Sequence, residues 1–144
     1  MRNARIDISQ SLDGEPVVLA CFDLPEAQLA ASAHAVAATA TARFRTAAMS
    51  ADDVVEFREL TALTDELHDL AARPGISTLV LRPARLTAYR DAIAAFVGSR
   101  DEAEWMREED REPLAAVRGL LFELEDLCAA ALRAALAPPA PRPS

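Results

Sequence analysis

The side chains most suited to recognition chemistry lie in one densely charged run, residues 100–112. It holds seven acidic and three basic residues around a Trp-Met pair. Trp, Met and Arg are enriched at protein–protein interfaces, so this run predicts a docking surface. A charge run is more often a solvated helix, stabilised by Glu–Arg pairs, with its Trp packed on the core, and that alternative stays open. The predicted docking residues are Glu104, Trp105, Met106, Arg107 and Glu108.

The two histidines offer metal-binding chemistry. Carboxylate-bridged metal centres in helical bundles use a Glu-x-x-His motif from each of two helices. Asp65 and His68 come near that motif, but an alanine stands three residues before His34. Zinc and iron sites need three or four convergent ligands. We therefore expect no metal site, and because no Gly-rich loop precedes a helix, we expect no nucleotide or other cofactor either.

The two cysteines, Cys21 and Cys128, are the candidate nucleophiles. A reactive thiol needs a nearby His or a helix N-terminus to lower its pKa. Cys128 lies in a leucine-rich stripe, whereas Cys21 lies close to the predicted start of the first helix and is the better placed of the two. Both stand in apolar runs, which is typical of buried, unreactive thiols. The sequence leans away from an enzyme without deciding the question.

Two further patterns have weaker functional interpretations. Arg82, Arg85 and Arg90 could hold an anion at a helix N-terminus, although pairing with nearby acidic residues is the simpler expectation. The Pro138-x-x-Pro141 spacing in the C-terminal tail resembles a ligand for an aromatic groove, but a disordered end is the simpler interpretation.

The amino-acid composition restricts the classes of partner that the chain is expected to bind. The 144 residues are 51% hydrophobic, 26% charged and only 5% aromatic, with a net charge of −8 and a pI near 4.7. Clustered positive charge is needed to neutralise phosphates, so nucleic acids and anionic membranes are disfavoured. Net acidity favours a basic partner protein, and it also keeps a protein soluble.

Localisation and domain organisation follow from the same sequence. All basic residues are Arg, and together with the abundant Ala this indicates a GC-rich bacterial genome. The N-terminus turns polar before a signal-like apolar stretch can form, and no apolar run approaches the length of a membrane span. We expect a cytoplasmic protein with one domain, residues 1–137, and a Pro-rich disordered tail, residues 138–144.

The N-terminal residues have the alternation of a β-hairpin. Ile6, Ile8 and Leu12 alternate with polar residues, and Asp13-Gly14 is a strong turn signal. Pro16 opens a second, more buried strand, as expected at a sheet edge or a strand entrance. A short apolar run at 76–81 predicts a third strand beside the hairpin.

Helical spacing of apolar residues covers the rest of the chain. We expect helices at about 25–48, with Asp23 as its N-cap, and at 51–72, starting at Ser50. A third helix, 83–97, ends at a Gly98 cap, and a short charged helix, 100–110, starts with a Ser99–Glu102 capping box. The last helix runs to about 136, with Leu120, Leu127 and Leu132 widening its stripe. Gly119 within it predicts close approach of a neighbouring backbone.

The expected fold is α+β and predominantly helical, with the hairpin packed on four to five helices. An all-α bundle with an N-terminal arm is the alternative. The expected function is a small interaction or regulatory protein, forming a homodimer or binding another chain. The alternative is a small-molecule protein with a pocket between sheet and helices, and an enzyme ranks last. That alternative pocket would be lined by Tyr89, Phe96, Phe122 or Trp105.

Overall fold

The computed structural model describes residues 1–44, 49–75 and 77–136. Three strands and four helices form an α+β, predominantly helical fold, as the sequence predicts. The predicted end of the first helix beyond residue 44, the first residue of the predicted third strand and the Pro-rich tail lie outside the described residues. The elements are β1 (Arg2–Gln10), β2 (Pro16–Asp23), α1 (Glu26–Arg43), α2 (Ala51–Ala72), β3 (Thr78–Leu81), α3 (Pro83–Glu102) and α4 (Glu108–Leu136).

The strands form an antiparallel sheet in the order β1-β2-β3. The predicted turn is confirmed, since Gly14 has a positive φ of 80° and its N–H donates to the Ser11 carbonyl. Pro16 is the first residue of β2, which is the strand entrance that its missing N–H requires. β2 is the central strand, which explains why its apolar run is buried at Ala20 and Phe22.

Asp23 does not cap α1, contrary to the sequence expectation. Pro25 is the N-cap residue, and no side chain bonds the first turn. Asp23 ends the central strand, between β1 and β3, so its carboxylate accepts hydrogen bonds from Asn3 and Thr78 instead. Hydrogen bonds across the sheet therefore outcompete the local cap.

The predicted bounds of α2 are confirmed. Ser50 Oγ accepts from the Asp53 N–H at 3.2 Å, and the Ser50 N–H donates to the Asp53 carboxylate at 2.9 Å. This capping box satisfies two backbone donors that would otherwise have no partner in the helix. Leu60, Leu63 and Leu67 form the buried seam of the helix.

One hydrophobic core joins the sheet to the helices. α1 packs against α2, α3 and α4, and its many alanines let these helices approach closely. Two buried polar contacts fix the packing: Tyr89 donates to Ser32, and the Thr39 hydroxyl donates to the Ala92 carbonyl at 3.1 Å. Of the described helices, none is long and apolar enough to cross a membrane.

The end of α3 corrects the sequence interpretation. The helix runs through Gly98 to Glu102, so Gly98 is not a cap. The Ser99 hydroxyl donates to the Phe96 carbonyl, so the expected Ser99–Glu102 capping box is wrong. The expected short helix is instead the last turn of α3, a connection at residues 103–107 and the first turn of α4.

The outer surface of α4 also differs from expectation. Leu120 and Leu127 are buried, but Leu132 is 61% exposed and does not widen the core stripe. Gly119 is exposed, and a Cβ added there would meet nothing within 4 Å. The expected backbone neighbour of Gly119 is therefore absent from the described part of the chain.

Gly98 offers a direct test of the longer α3. Its position is open and helical, so Gly98→Ala should raise the free energy of unfolding by about 0.5–1 kcal/mol, measured by urea denaturation. Gly75 has a φ of 80°, so Gly75→Ala should lower the free energy of unfolding by about 1 kcal/mol. A destabilised Gly98→Ala variant would mean that the helix ends at this glycine.

Candidate functional site

An open groove of about 1060 Å³ lies between α1, the end of α2 and the connection at residues 103–107. Its floor consists of small apolar side chains, mainly from α1. Its walls carry two histidines, two arginines and one tryptophan. The alanines that line it are Ala30, Ala33, Ala37, Ala38, Ala42, Ala71 and Ala103.

The structure brings four of the five predicted docking residues to this groove. Glu104, Trp105, Met106 and Arg107 line it, whereas Glu108 begins α4 just outside. The Trp105 side chain is 72% exposed, so the alternative in which it packs on the core is wrong. Met106 is half-buried and packs against the core, and it thereby holds the connection in place.

A buried carboxylate lies beneath this connection. Asp110, in the first turn of α4, is 4% exposed and accepts two hydrogen bonds through different oxygens. His34 Nε2 of α1 lies 2.8 Å from Oδ1, and Arg100 Nε of α3 lies 2.9 Å from Oδ2. Because a carboxylate is the acceptor, Nε2 of His34 carries the proton. One side chain therefore joins three helices.

The Asp110 charge is stabilised by its partners. Burial raises the pKa of Asp110, but the hydrogen bonds from His34 and Arg100 outweigh burial, so the pKa lies below its ordinary value. The N-terminal end of α4 also favours a negative charge at this position. The carboxylate therefore stays ionised, as a buried charge with two close donors can.

Phe96 orients both partners of Asp110. The Arg100 guanidinium lies over the Phe96 ring, 4.6 Å from its centroid, and the His34 ring meets Phe96 edge-on at 5.8 Å. A second Arg100 nitrogen donates to Ser99 Oγ at 2.9 Å. Cation–π contact and hydrogen bonds thus hold the two side chains that hold Asp110.

This cluster has the chemistry of a structural brace. A His–Asp pair can activate a hydroxyl, but the Ser99 hydroxyl donates to the Phe96 carbonyl and accepts from Arg100. The two cysteines lie elsewhere, and burial raises the pKa of both Cys21 and Cys128, which favours the unreactive thiol. The arrangement therefore positions the groove wall.

The remaining predicted site residues lie apart. Tyr89 and Phe96 are fully buried in the core, and Phe122 is 70% exposed on α4, so of the four expected pocket residues only Trp105 lines the groove. No group of three or more potential metal ligands occurs in the described ranges, although His68 lines the groove.

Two of the three arginines in the predicted anion-binding cluster form ion pairs. Arg85 donates to Glu59 at 2.8 Å, and Arg90 donates to its neighbour Asp91 at 2.8 Å. The simpler expectation for these two arginines, pairing with nearby acidic residues, is what the structure shows.

Sequence reasoning missed Asp110 because it stands inside the charge run. One signal was present: Asp110 precedes Leu114 by four residues and Val117 by seven, which places it on the buried stripe of α4. A charged residue on a buried stripe needs a partner, and this requirement indicates a buried ion pair.

Comparisons of the chain with protein-family models, with curated proteins and with solved structures found no match. The geometry of the groove is therefore the basis for assigning a function.

Removing the Asp110 charge should destabilise the fold. Asp110→Asn should lower the free energy of unfolding at pH 7 by about 1–3 kcal/mol, since it weakens two charge-assisted hydrogen bonds. Because the pKa of Asp110 is lowered in the folded state, its contribution is present above the ordinary aspartate pKa of about 4 and is lost as the pH falls through the folded value.

Urea denaturation at pH 7 and at pH 3 measures this contribution. The difference between Asp110→Asn and the wild type should be smaller at pH 3. The exposed Asp69 of α2 is the control, and Asp69→Asn should change stability little at either pH. An Asp110→Asn difference equal to that of Asp69→Asn would show that the buried cluster does not brace the fold.

Proposed function

We propose that this domain is a protein-interaction module, and that its groove binds a basic, amphipathic helical segment of a partner protein. The observation that carries the proposal is Trp105, which is largely exposed on the wall of a groove with an alanine floor. Trp residues are enriched at binding hot spots, where they fill apolar contacts with a partner.

The shape of the groove suits a helix. Small side chains on the floor let the backbone of a bound segment come close to α1, and an apolar helix face in a groove is a recurring mode of recognition. Trp105 and Met106 supply polarisable apolar surface at the wall. Leucine-sized side chains of a partner would fill the space that the alanines leave.

The charge around the groove suits a basic segment. The lining itself is balanced, with two arginines and two carboxylates, and the other five acidic residues of 100–112 lie outside it. Residues 100–112 hold seven acidic and three basic side chains, and all three basic side chains are engaged with acidic neighbours, Arg111 with Glu108 at 3.5 Å. Arg100 pairs with Asp110, and Arg107 lies 3.5 Å from Glu109. Acidic residues therefore outnumber basic ones in 100–112, and the whole chain has a net charge of −8. This negative charge would steer a basic segment to the groove.

Rigidity of the wall supports the same function. The connection that carries Trp105 spans only residues 103–107, between two helices that the Asp110 cluster ties together. A wall that is already ordered loses little conformational entropy on binding, so more of the contact energy contributes to affinity.

The other two candidate functions have less support. A small-molecule pocket was expected between sheet and helices, whereas helices and their connection line this groove. Its volume lies at the upper end of the range of small-ligand pockets, about 300–1,000 Å³, and the groove is open. An enzyme would need an activated acid, base or nucleophile, and the His34–Asp110 pair instead holds Arg100 and the helices. We further propose a reducing, cytoplasmic location, in keeping with two free cysteines.

Trp105 is the only Trp of the chain, so its fluorescence reports directly on the groove. We expect a synthetic amphipathic Leu–Lys helical peptide to shift the Trp105 emission to the blue with saturation. A Leu–Glu peptide of the same pattern should bind at least about tenfold more weakly, a difference of about 1.4 kcal/mol. Titration followed by fluorescence emission measures both affinities.

Two arginine variants separate groove binding from general attraction between charges. Ala37→Arg fills the groove floor and should weaken Leu–Lys binding at least about tenfold. Ala84→Arg adds the same charge at an exposed position of α3 outside the groove lining and should weaken it much less. Equal binding of the two peptides, no binding of either, or equal effects of the two variants would contradict the proposed function.

A further inference from the structure

The outward face of α4 carries an apolar stripe that the core does not use. Phe122, Leu132 and Leu136 are 61–75% exposed, although most of the large apolar residues of the helix are buried or half-buried. Phe122 and Leu136 belong to a series with a seven-residue period, which is typical of a helix face that packs against another helix. The exposed series is Ala115, Phe122, Ala129 and Leu136.

Two charged residues of opposite sign beside this stripe lie at equal distances in sequence from Ala129. Glu125 lies four residues before Ala129, and Arg133 lies four residues after it, both exposed. If two copies of α4 cross antiparallel at Ala129, Glu125 of one copy lies opposite Arg133 of the other, and the symmetry gives this pair twice. Phe122, seven residues before the centre, then lies opposite Leu136, seven residues after it.

The same charges disfavour the other arrangements. In a parallel, in-register pair, Glu125 would lie beside Glu125 and Arg133 beside Arg133, and like charges repel. A strongly basic partner fits the acidic run 100–112 better than this face, because the face carries both signs, with Arg118 and Asp126 in addition to the pair. The charge pattern therefore favours a second copy of this chain over another partner.

We propose that α4 forms a symmetric antiparallel homodimer interface centred on Ala129. Ala129 at the crossing point is exposed and small, so that the two helices can approach closely there. The overlapping residues, 122–136, share no residue with the groove lining. Dimerisation would therefore leave the grooves of both copies available. The dimer and the groove function can thus be tested independently of each other.

Solution mass tests the interface first. Light scattering coupled to size-exclusion chromatography should give about 31 kDa, twice the chain mass of 15.5 kDa, at high protein concentration, and a lower mass on dilution. Phe122→Glu should shift the chain to monomer, while Leu12→Glu, at the exposed hairpin tip, should not. Circular dichroism should show that both variants remain folded.

Charge reversal tests the antiparallel register. Arg133→Glu places acidic residues opposite each other and should raise the dimer dissociation constant at least about tenfold. Adding Glu125→Arg to that variant restores opposite charges and should recover most of the affinity. A dimer that Arg133→Glu leaves unchanged, or a loss that the double variant does not recover, would overturn the proposed register.

A cysteine placed on the symmetry axis tests the centre. Ala129 would meet Ala129 of the second copy, so Ala129→Cys should form an interchain disulfide on mild oxidation. Ala115 lies fourteen residues from the centre, about 21 Å along the helix, so Ala115→Cys should not cross-link. A wild-type chain that is monomeric at every concentration, or cross-linking at Ala115 as efficient as at Ala129, would overturn the proposal.

Discussion

The arrangement of the helices in this domain depends on the two hydrogen bonds that the Asp110 carboxylate accepts. Asp110 lies buried in the first turn of α4 and accepts hydrogen bonds from His34 of α1 and Arg100 of α3. A buried charge without partners costs several kcal/mol, so the three helices lose stability if they separate at this point. The connection between α3 and α4 is short, so its path is set by the same bonds. Trp105 lies on this connection and is largely exposed.

Two surfaces of opposite character follow from this framework. The groove beside Trp105 has an alanine floor and lies next to the acidic run 100–112, and the proposal of a basic helical segment rests on these two features. The outward face of α4 has apolar side chains flanked by charges of both signs, which suits a second copy. Because α4 begins at the groove and ends on the outward face, one helix contributes to both surfaces. A dimer of this kind would present two grooves to one partner or to two.

Much of the fold could be predicted from local signals. Asp13-Gly14 predicts the hairpin turn, Ser50 marks the start of α2, and the leucine spacing of α2 and α4 predicts buried seams. These signals work because caps, turns and amphipathic faces are decided by neighbours in sequence. The error at Asp23 comes from competition with distant contacts. The Asp23 carboxylate accepts hydrogen bonds from Asn3 and Thr78 on the neighbouring strands instead of capping α1. In α3, the helix continues for one more turn past Gly98, where the sequence predicts its end.

The candidate site was predicted only in part for the same reason. The residues around Trp105 are adjacent in sequence, so their composition alone indicates a docking surface. The brace beneath them is not local, because His34 and Asp110 are 76 residues apart. No spacing rule relates two such positions. The position of Asp110 on the buried stripe of α4 indicates that it needs a hydrogen-bonding partner. It does not indicate which residue that partner is.

Hydrogen exchange in the Asp110→Asn variant tests the central claim most directly. If the Asp110 cluster holds the groove wall, amides of the connection at residues 103–107 and of the first turn of α4 should exchange markedly faster than in the wild type. Amides at the ends of α2, which exchange by local fraying that leaves the cluster intact, should exchange as before. Unchanged exchange in the connection, or an equal increase at the ends of α2, would contradict the account.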